Sequence, residues 1–115
     1  MRTLVFKYGT SRGRDTYGYN LVTLRVDGRK VAQECGGGYD MQGAALGTYI
    51  TEAYQDALKT LDPAKFYGLR EWDGKMRIDG ACGMSSVERI ISALGLQLSK
   101  IRWASNNSQE TYFLQ

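Results

Sequence analysis

Three consecutive glycines, Gly36-Gly37-Gly38, lie between a predicted strand and a predicted helix, and Tyr39 and Asp40 follow them. Glycines allow a sharp turn through positive φ and leave the main-chain N–H groups uncovered. The N–H groups of a first helical turn are also free, and the helix dipole is positive there. Such a turn can hold a phosphate or another anion. It can equally be a tight turn that needs room, and it matches neither the P-loop nor the dinucleotide-binding pattern.

A second glycine-containing turn precedes the other predicted helix, in the sequence Cys82-Gly83-Met84-Ser85-Ser86. Ser85 and Glu88 have the spacing of a capping box, which predicts a helix start at Ser85. If both turns lie at the same edge of the fold, the two helix N-termini converge. Gly83, Ser85 and Ser86 would then contact the same anion as the triple glycine. The alternative is two tight turns in which the free cysteines are buried as small apolar residues.

A polar loop between the first two predicted strands carries Arg12, Arg14 and Tyr17. A guanidinium binds phosphate through paired N–H donors, and a tyrosine ring stacks on a base. These side chains are therefore candidates to close over the anion. The alternative is a solvated hairpin loop whose tyrosines pack on the sheet.

The chain contains no histidine, which removes the commonest general base and the commonest zinc ligand. Its two cysteines cannot complete a tetrahedral zinc site in a monomer. Asp40, Asp79 and Glu88 remain as possible acids, bases or metal ligands, but carboxylates at helix starts are better explained as caps. The sequence therefore favours a binding protein over an enzyme, and it indicates no catalytic residue, no metal site and no cofactor.

The candidate residues must be positioned by strands at both ends of the chain. Asp27-Gly28 predicts a type I′ hairpin, because both turn positions need positive φ. In the strand that follows, alternation assigns Lys30, Ala32 and Glu34 to one face. The predicted strands cover residues 3–8, 19–26, 29–35, 96–103 and 110–114.

Two helices are predicted between the third and fourth strands. The first begins with Asp40 as its N-cap, and its apolar stripe continues to Leu61. Small residues in its first turns allow either close packing or the approach of a ligand. The second helix ends before Gly95, a favoured residue after a helix. Residues 65–79 fit short strands or loops around an Asp73-Gly74 turn.

The predicted fold class is α+β, in a single domain over residues 1–115. We expect an antiparallel sheet of about five strands, in the order βββααββ, with two helices packed on one face. Unpaired strand edges also predict some homo-oligomerisation.

Composition limits the class of protein and its setting. A chain of 115 residues that is 43% hydrophobic has an ordinary core, and its net charge of +3 is milder than that of a typical non-specific nucleic-acid binder. No apolar run approaches the roughly 20 residues of a membrane span. Two cysteines without an export signal predict a reducing cytoplasm.

Three segments carry a resemblance to a known group of proteins. They are Tyr17-Gly18-Tyr19-Asn20, then Cys35-Gly36-Gly37-Gly38-Tyr39-Asp40-Met41-Gln42-Gly43, then Asp79-Gly80-Ala81-Cys82-Gly83-Met84-Ser85-Ser86 followed by Val87-Glu88-Arg89-Ile90. In this order they resemble small proteins encoded by tailed bacteriophages and prophages, over residues 17–95. The resemblance implies a phage accessory protein in the cytoplasm of the bacterial host. Such proteins are often inhibitors of bacterial defence, and no catalytic residue is carried over.

The sequence therefore favours a non-enzymatic anti-defence protein that sequesters a phosphate-bearing ligand, foremost a nucleotide immune signal. One alternative is an anti-CRISPR-like inhibitor that docks on a host defence protein through exposed aromatic anchors. Another is a small nucleic-acid-binding phage protein, against which its twelve carboxylates count. The candidate anchors for docking are Trp72, Trp103, Tyr112 and Phe113.

Overall fold

The computed structural model describes residues 1–12, 18–36, 40–80, 82–103 and 109–115, without the side chains of 10–12, 18–20 and 102–103. In chain order, the elements are β1 (Arg2–Arg12), β2 (Gly18–Val26), β3 (Arg29–Gly36), α1 (Met41–Ala53), α2 (Gln55–Leu58), a 3-10 turn (Pro63–Lys65), β4 (Leu69–Trp72), β5 (Lys75–Ile78), α3 (Met84–Ala93), β6 (Leu98–Trp103) and β7 (Gln109–Leu114). None of the described helices is long and apolar enough to cross a membrane.

Five strands form one antiparallel sheet in the order β3-β2-β1-β7-β6. The first strand is central, because β1 pairs with β2 on one side and with the last strand, β7, on the other. The turn between β2 and β3 has positive φ at Asp27 (51°) and Gly28 (84°), as its sequence predicts. The α+β class and the five-stranded antiparallel sheet are therefore confirmed.

The middle of the chain is more divided than its sequence predicts. Residues 69–78 form a separate hairpin, β4–β5, that turns at Asp73 and Gly74 with φ of 53° and 75°. The first helix does not continue to Leu61, because α1 ends at Ala53 and a single turn, α2, follows Tyr54. Among the described residues the order is thus βββ, αα, ββ, α, ββ, with three α-helices rather than two.

The interruption after α1 lies where the helix is bound to the small hairpin. The side-chain amide of Gln55 donates to the carbonyl oxygens of Thr51 and Met76, at 2.9 and 2.8 Å, and its Oε1 accepts from the Met76 N–H. The spacing of apolar residues does not indicate such a long-range polar contact, so the apolar stripe alone predicts one continuous helix.

One face of the main sheet is buried against the helices. Alternate residues of the strands share a core with the apolar faces of α1, α2 and α3. The fully buried side chains include Leu4, Phe6, Leu24 and Leu114 from the sheet and Leu46, Ile50, Leu58, Ile90 and Ile91 from the helices. The other residues of each strand face away from this core.

Candidate anion-binding site

Asp40 links the N-termini of α1 and α3. It is the N-cap of α1, and its Oδ1 accepts a hydrogen bond from the Gly43 N–H at 3.1 Å. Its Oδ2 accepts a second from the N–H of Met84, the first residue of α3, at 2.8 Å. The two helix N-termini therefore converge, and the anion between them is a carboxylate of the protein itself.

Small residues at the start of α1 allow this convergence. A Cβ atom at Gly43 would lie 2.6 Å from the Cys82 carbonyl oxygen and 2.7 Å from the Met84 nitrogen, so no side chain fits there. At Gly47 a Cβ atom would lie 3.0 Å from a methyl group of Ile78. Close packing between α1, the start of α3 and β5 therefore accounts for these glycines.

The start of α3 differs from the predicted capping box. Its N-cap is Gly83, which has no side chain to accept a hydrogen bond, and Ser85 is the second helical residue and exposed. The prediction that Ser85 caps the helix is wrong because Asp40, from a distant part of the chain, supplies an acceptor. Ser86 lies beside a small depression of about 20 Å³ that Tyr67 and Arg89 also line.

The remaining predicted ligand residues are divided between described and undescribed parts of the chain. Gly36 ends β3, and a Cβ atom there would lie 3.2 Å from the Met41 sulfur. The side chain of Arg12 lies outside the described residues, although its backbone ends β1 opposite Gly18. Arg14, Tyr17, Gly37, Gly38 and Tyr39 also lie outside the described residues, so their role stays a prediction.

The sheet face away from the helices, here called the open face, has a different character. Its described side chains are exposed or half-buried, and they include three cations and no carboxylate. Its members, taken from the strand register, are Thr3, Val5, Lys7, Gly9, Leu21, Thr23, Arg25, Lys30, Gln33, Cys35, Ser99, Gln109, Thr111 and Phe113.

A depression of about 320 Å³ brings the three cations of the open face together. Its lining includes Lys7, Thr23, Arg25 and Lys30. Arg25 and Lys30 are direct cross-strand partners, and Lys7 is opposite Thr23. A cavity of this volume falls at the lower end of the range of small-molecule sites, roughly 300–1,000 Å³.

The three cations have no carboxylate to neutralise them within the described part of the chain. The ion pairs there involve Arg2, Arg70, Lys75 and Lys100 instead. Three like charges around one depression raise a positive potential over it. The arrangement therefore suits a ligand with negative charges.

The carboxylates of the sheet lie on its other face, where they are engaged. Buried Glu110 accepts hydrogen bonds from Tyr112 (2.8 Å), Tyr8 (3.2 Å) and Gln42 (3.2 Å), and Lys100 lies 3.3 Å away. Burial acts to raise the pKa of Glu110, but the hydrogen bonds from Tyr112, Gln42 and Lys100 outweigh it and lower that pKa. Burial, together with Glu110, raises the pKa of Tyr112 to about 12. This network stabilises the junction of sheet and α1 and takes no part in the open face.

Other parts of the described structure are less suited to an anion. A depression of about 340 Å³ at the junction of α1 and α2 is lined by residues 52–57, which include Glu52 and Asp56. Among the described residues, no group of three or more Cys, Asp and Glu side chains is placed to hold a metal ion.

The sequence prediction missed Lys7, Arg25 and Lys30 as site residues. Alternation along β1 and β2 assigns Lys7 and Arg25 to the face opposite the buried apolar residues, so the sequence did contain a signal for these two residues. For Lys30 it was misleading, because a register shift between Leu24 and Arg25 leaves Lys30 opposite Arg25 rather than on the face of Ala32. Only the pairing of the strands brings the three cations to one place.

Comparisons of the chain with models of known protein families, with curated proteins and with solved structures give no match. Functional assignment therefore rests on the geometry and charge of the chain itself. The open face, where three cations converge, is the strongest candidate site among the described residues.

Proposed function

We propose that this chain is a non-enzymatic protein that binds a phosphate-bearing, nucleotide-like ligand on the open face of its sheet. The observation that carries the proposal is the convergence of Lys7, Arg25 and Lys30 on one depression, with no carboxylate partner among the described residues. Ammonium and guanidinium groups form short, charge-assisted hydrogen bonds with phosphate oxygens.

The pairing of Arg25 with Lys30 supports a bound anion. Like charges directly opposite one another in a sheet are destabilising. A phosphate between them replaces this repulsion with two attractions. The repulsion between Arg25 and Lys30 is therefore present in the free protein and is relieved when an anion binds.

The surroundings of the depression support binding without chemistry. Its described lining offers cations, Thr23 and the apolar Leu21, but no carboxylate to act as a general base. The ligand would therefore leave unchanged. The loop residues Arg12, Arg14 and Tyr17 remain part of the proposal, because β1 continues from the depression towards them.

The biological role in the proposal comes from the resemblance to phage proteins. A phage protein that binds a nucleotide tightly without consuming it lowers the free concentration of that nucleotide. If the nucleotide signals infection, this sequestration blunts the defence of the host. The two parts of the proposal, ligand binding and anti-defence action, are tested separately.

The binding experiment uses two matched glycine variants. Gly9 and Gly80 both have open space around the position of a Cβ atom, but only Gly9 lines the depression. We expect Gly9→Glu to weaken nucleotide binding about tenfold or more by placing a negative charge beside the phosphate. Gly80→Glu changes the net charge equally and should bind normally.

The measurement is a thermal-shift panel of linear and cyclic nucleotides, followed by calorimetry and by recovery of the ligand after heat release. A ligand that binds only the folded state raises the midpoint by mass action. Equal loss in both variants would indicate non-specific electrostatics. A consumed ligand would indicate an enzyme, and no shift with any nucleotide would contradict the proposal.

A second candidate function, docking on a host defence protein, is favoured by two exposed aromatic residues. Tyr67 is 75% exposed and Trp72, on the small hairpin, is 68% exposed. Exposed aromatic side chains of this kind serve as anchors in interfaces. Trp72→Ala should abolish the inhibition of defence if docking is the function. If sequestration is the function instead, the same variant should leave nucleotide binding, and with it the inhibition, unaltered.

A further inference from the structure

The open face extends beyond the depression towards β7. Val5 is paired with Arg25 on one side and with Thr111 on the other, and Thr3 is paired with Phe113. Arg25 is exposed and the others are half-buried, and no carboxylate lies among the described members of the face. With about 4.8 Å between neighbouring strands, the face measures roughly 14 Å from β3 to β7.

The two halves of this face have complementary chemistry. Lys7, Arg25 and Lys30 occupy β1 to β3, whereas Val5, Thr111 and Phe113 occupy β1 and β7. The first half suits phosphates. The second half is uncharged, and the Phe113 ring offers a surface on which a base can stack.

The three cations lie on three neighbouring strands rather than around one point. Lys30 and Lys7 are two strands apart and two residues out of register, which corresponds to about 12 Å between their Cα atoms. Several phosphates of one chain fit this spread better than one phosphate does. A linear polyanion can therefore use all three side chains at once.

The depression is also open within the described structure. Apart from the chain neighbours of Gly9, no described residue lies within 4 Å of the position of a Cβ atom there. Sites for small ligands commonly bury roughly 70–90% of the ligand surface. An open sheet instead suits an extended chain, which gains affinity from several moderate phosphate and stacking contacts.

We infer that the ligand of the open face is a single-stranded oligonucleotide, an inference that rests on the proposed function. Its phosphates contact Lys30, Arg25 and Lys7, and an unstacked base lies on Phe113. A duplex does not fit in this way, because its base faces are already stacked on one another. The ligand is thus defined as a single strand with at least three consecutive phosphates.

The test compares fluorescein-labelled oligo(dT) and oligo(U) of two to twelve nucleotides with free mononucleotides and with a blunt duplex. Fluorescence anisotropy is measured on the full chain at 50 and 200 mM salt. We expect affinity to rise at least tenfold from mononucleotide to octamer and then to plateau. Three phosphate contacts predict a slope of about −2.1 in log K against log salt, a roughly 20-fold loss between the two salt concentrations. The two oligomers separate DNA from RNA as the source of the ligand.

Two pairs of variants assign the contacts. Lys7→Gln should reduce the salt slope by about 0.7, whereas Lys59→Gln, which removes an exposed lysine far along the chain, should leave it unaltered. Phe113→Leu keeps an apolar side chain but removes the ring, so affinity should fall roughly fivefold or more at an unaltered slope. Phe66→Leu, at a half-buried ring outside the sheet, is its control. Circular dichroism confirms that each variant is folded.

The outcomes separate this inference from the function on which it rests. If mononucleotides bind as tightly as octamers, the inference is overturned and the proposed function stands. If neither binds, both fail. If octamers bind but Lys7→Gln and Phe113→Leu match their controls, the open face is not the site and the inference is overturned as well.

Discussion

Arg25 and Lys30 lie directly opposite one another on β2 and β3, and both side chains line the same depression. Like charges in this position are destabilising. A substitution in this pair should therefore change the stability of the fold and the affinity for the ligand in opposite directions.

Lys30→Glu should make the protein more stable and a weaker binder. The new carboxylate pairs with Arg25, so the free energy of unfolding should rise by roughly 0.2–1 kcal/mol, while phosphate meets a negative charge. Urea denaturation and nucleotide titration measure the two effects. Lys59→Glu makes the same charge change elsewhere, and it should change both the free energy of unfolding and the nucleotide affinity less than Lys30→Glu does. A variant that gains stability without losing affinity would remove Lys30 from the site.

Asp40 should contribute more stability than an ordinary cap, because one carboxylate serves two helices. Asp62 is the matched control, since it caps only the 3-10 turn through the Ala64 N–H at 3.0 Å. An N-cap is worth about 0.5–2 kcal/mol, so we expect Asp40→Ala to cost roughly twice as much as Asp62→Ala. Urea denaturation of both variants gives the comparison, and equal costs would contradict a shared cap.

Asp40→Ala also tests whether the convergent helix N-termini attract an external anion. Without the carboxylate, the N–H groups of Gly43 and Met84 lose their acceptor. Added sulfate or phosphate should then restore stability to Asp40→Ala more than to Asp62→Ala. Equal responses would show that the turn serves only to join the helices.

The glycines of α1 should differ in tolerance according to what surrounds them. Gly43→Ala places a methyl group against rigid backbone at 2.6 Å, whereas Gly47→Ala meets a side-chain methyl at 3.0 Å. We expect Gly43→Ala to cost about 1–3 kcal/mol, Gly47→Ala less, and Gly80→Ala, in open space, almost nothing. Thermal and urea denaturation rank the three. A different ranking would mean that α1 does not pack tightly against the start of α3.

Glu110 should make the free energy of unfolding depend on pH in the acidic range. Because hydrogen bonds hold its pKa below the ordinary value of 4.5, its stabilisation is fully present above that value and is lost as pH falls through the lower, folded-state pKa. Glu110→Gln should therefore flatten the decline in stability between neutral pH and pH 3. Glu71→Gln, at an exposed position of the small hairpin, should leave the decline unaltered. Urea denaturation at a series of pH values makes the comparison.

Features set by neighbouring residues were predictable from the sequence. The turn at Asp27-Gly28 has the expected positive φ, the chain also turns at Asp73-Gly74 as expected, Asp40 caps α1, and Gly95 follows α3 with φ of 79°. Alternation of apolar residues located the five strands of the main sheet. These features depend on backbone preferences and on solvent exposure within a few residues, so a linear sequence contains them.

The candidate site was not predictable in the same way. The sequence suggested that two helix N-termini converge on a ligand, but the tertiary structure brings the carboxylate of Asp40 between them. No described helix covers one face of the sheet, and a register shift brings Lys30 opposite Arg25, beside Lys7. The sequence by itself thus determined the two hairpin turns, the Asp40 cap of α1 and the strands of the main sheet. The tertiary structure alone decided which charges meet, because that depends on the packing of residues that are far apart in the chain.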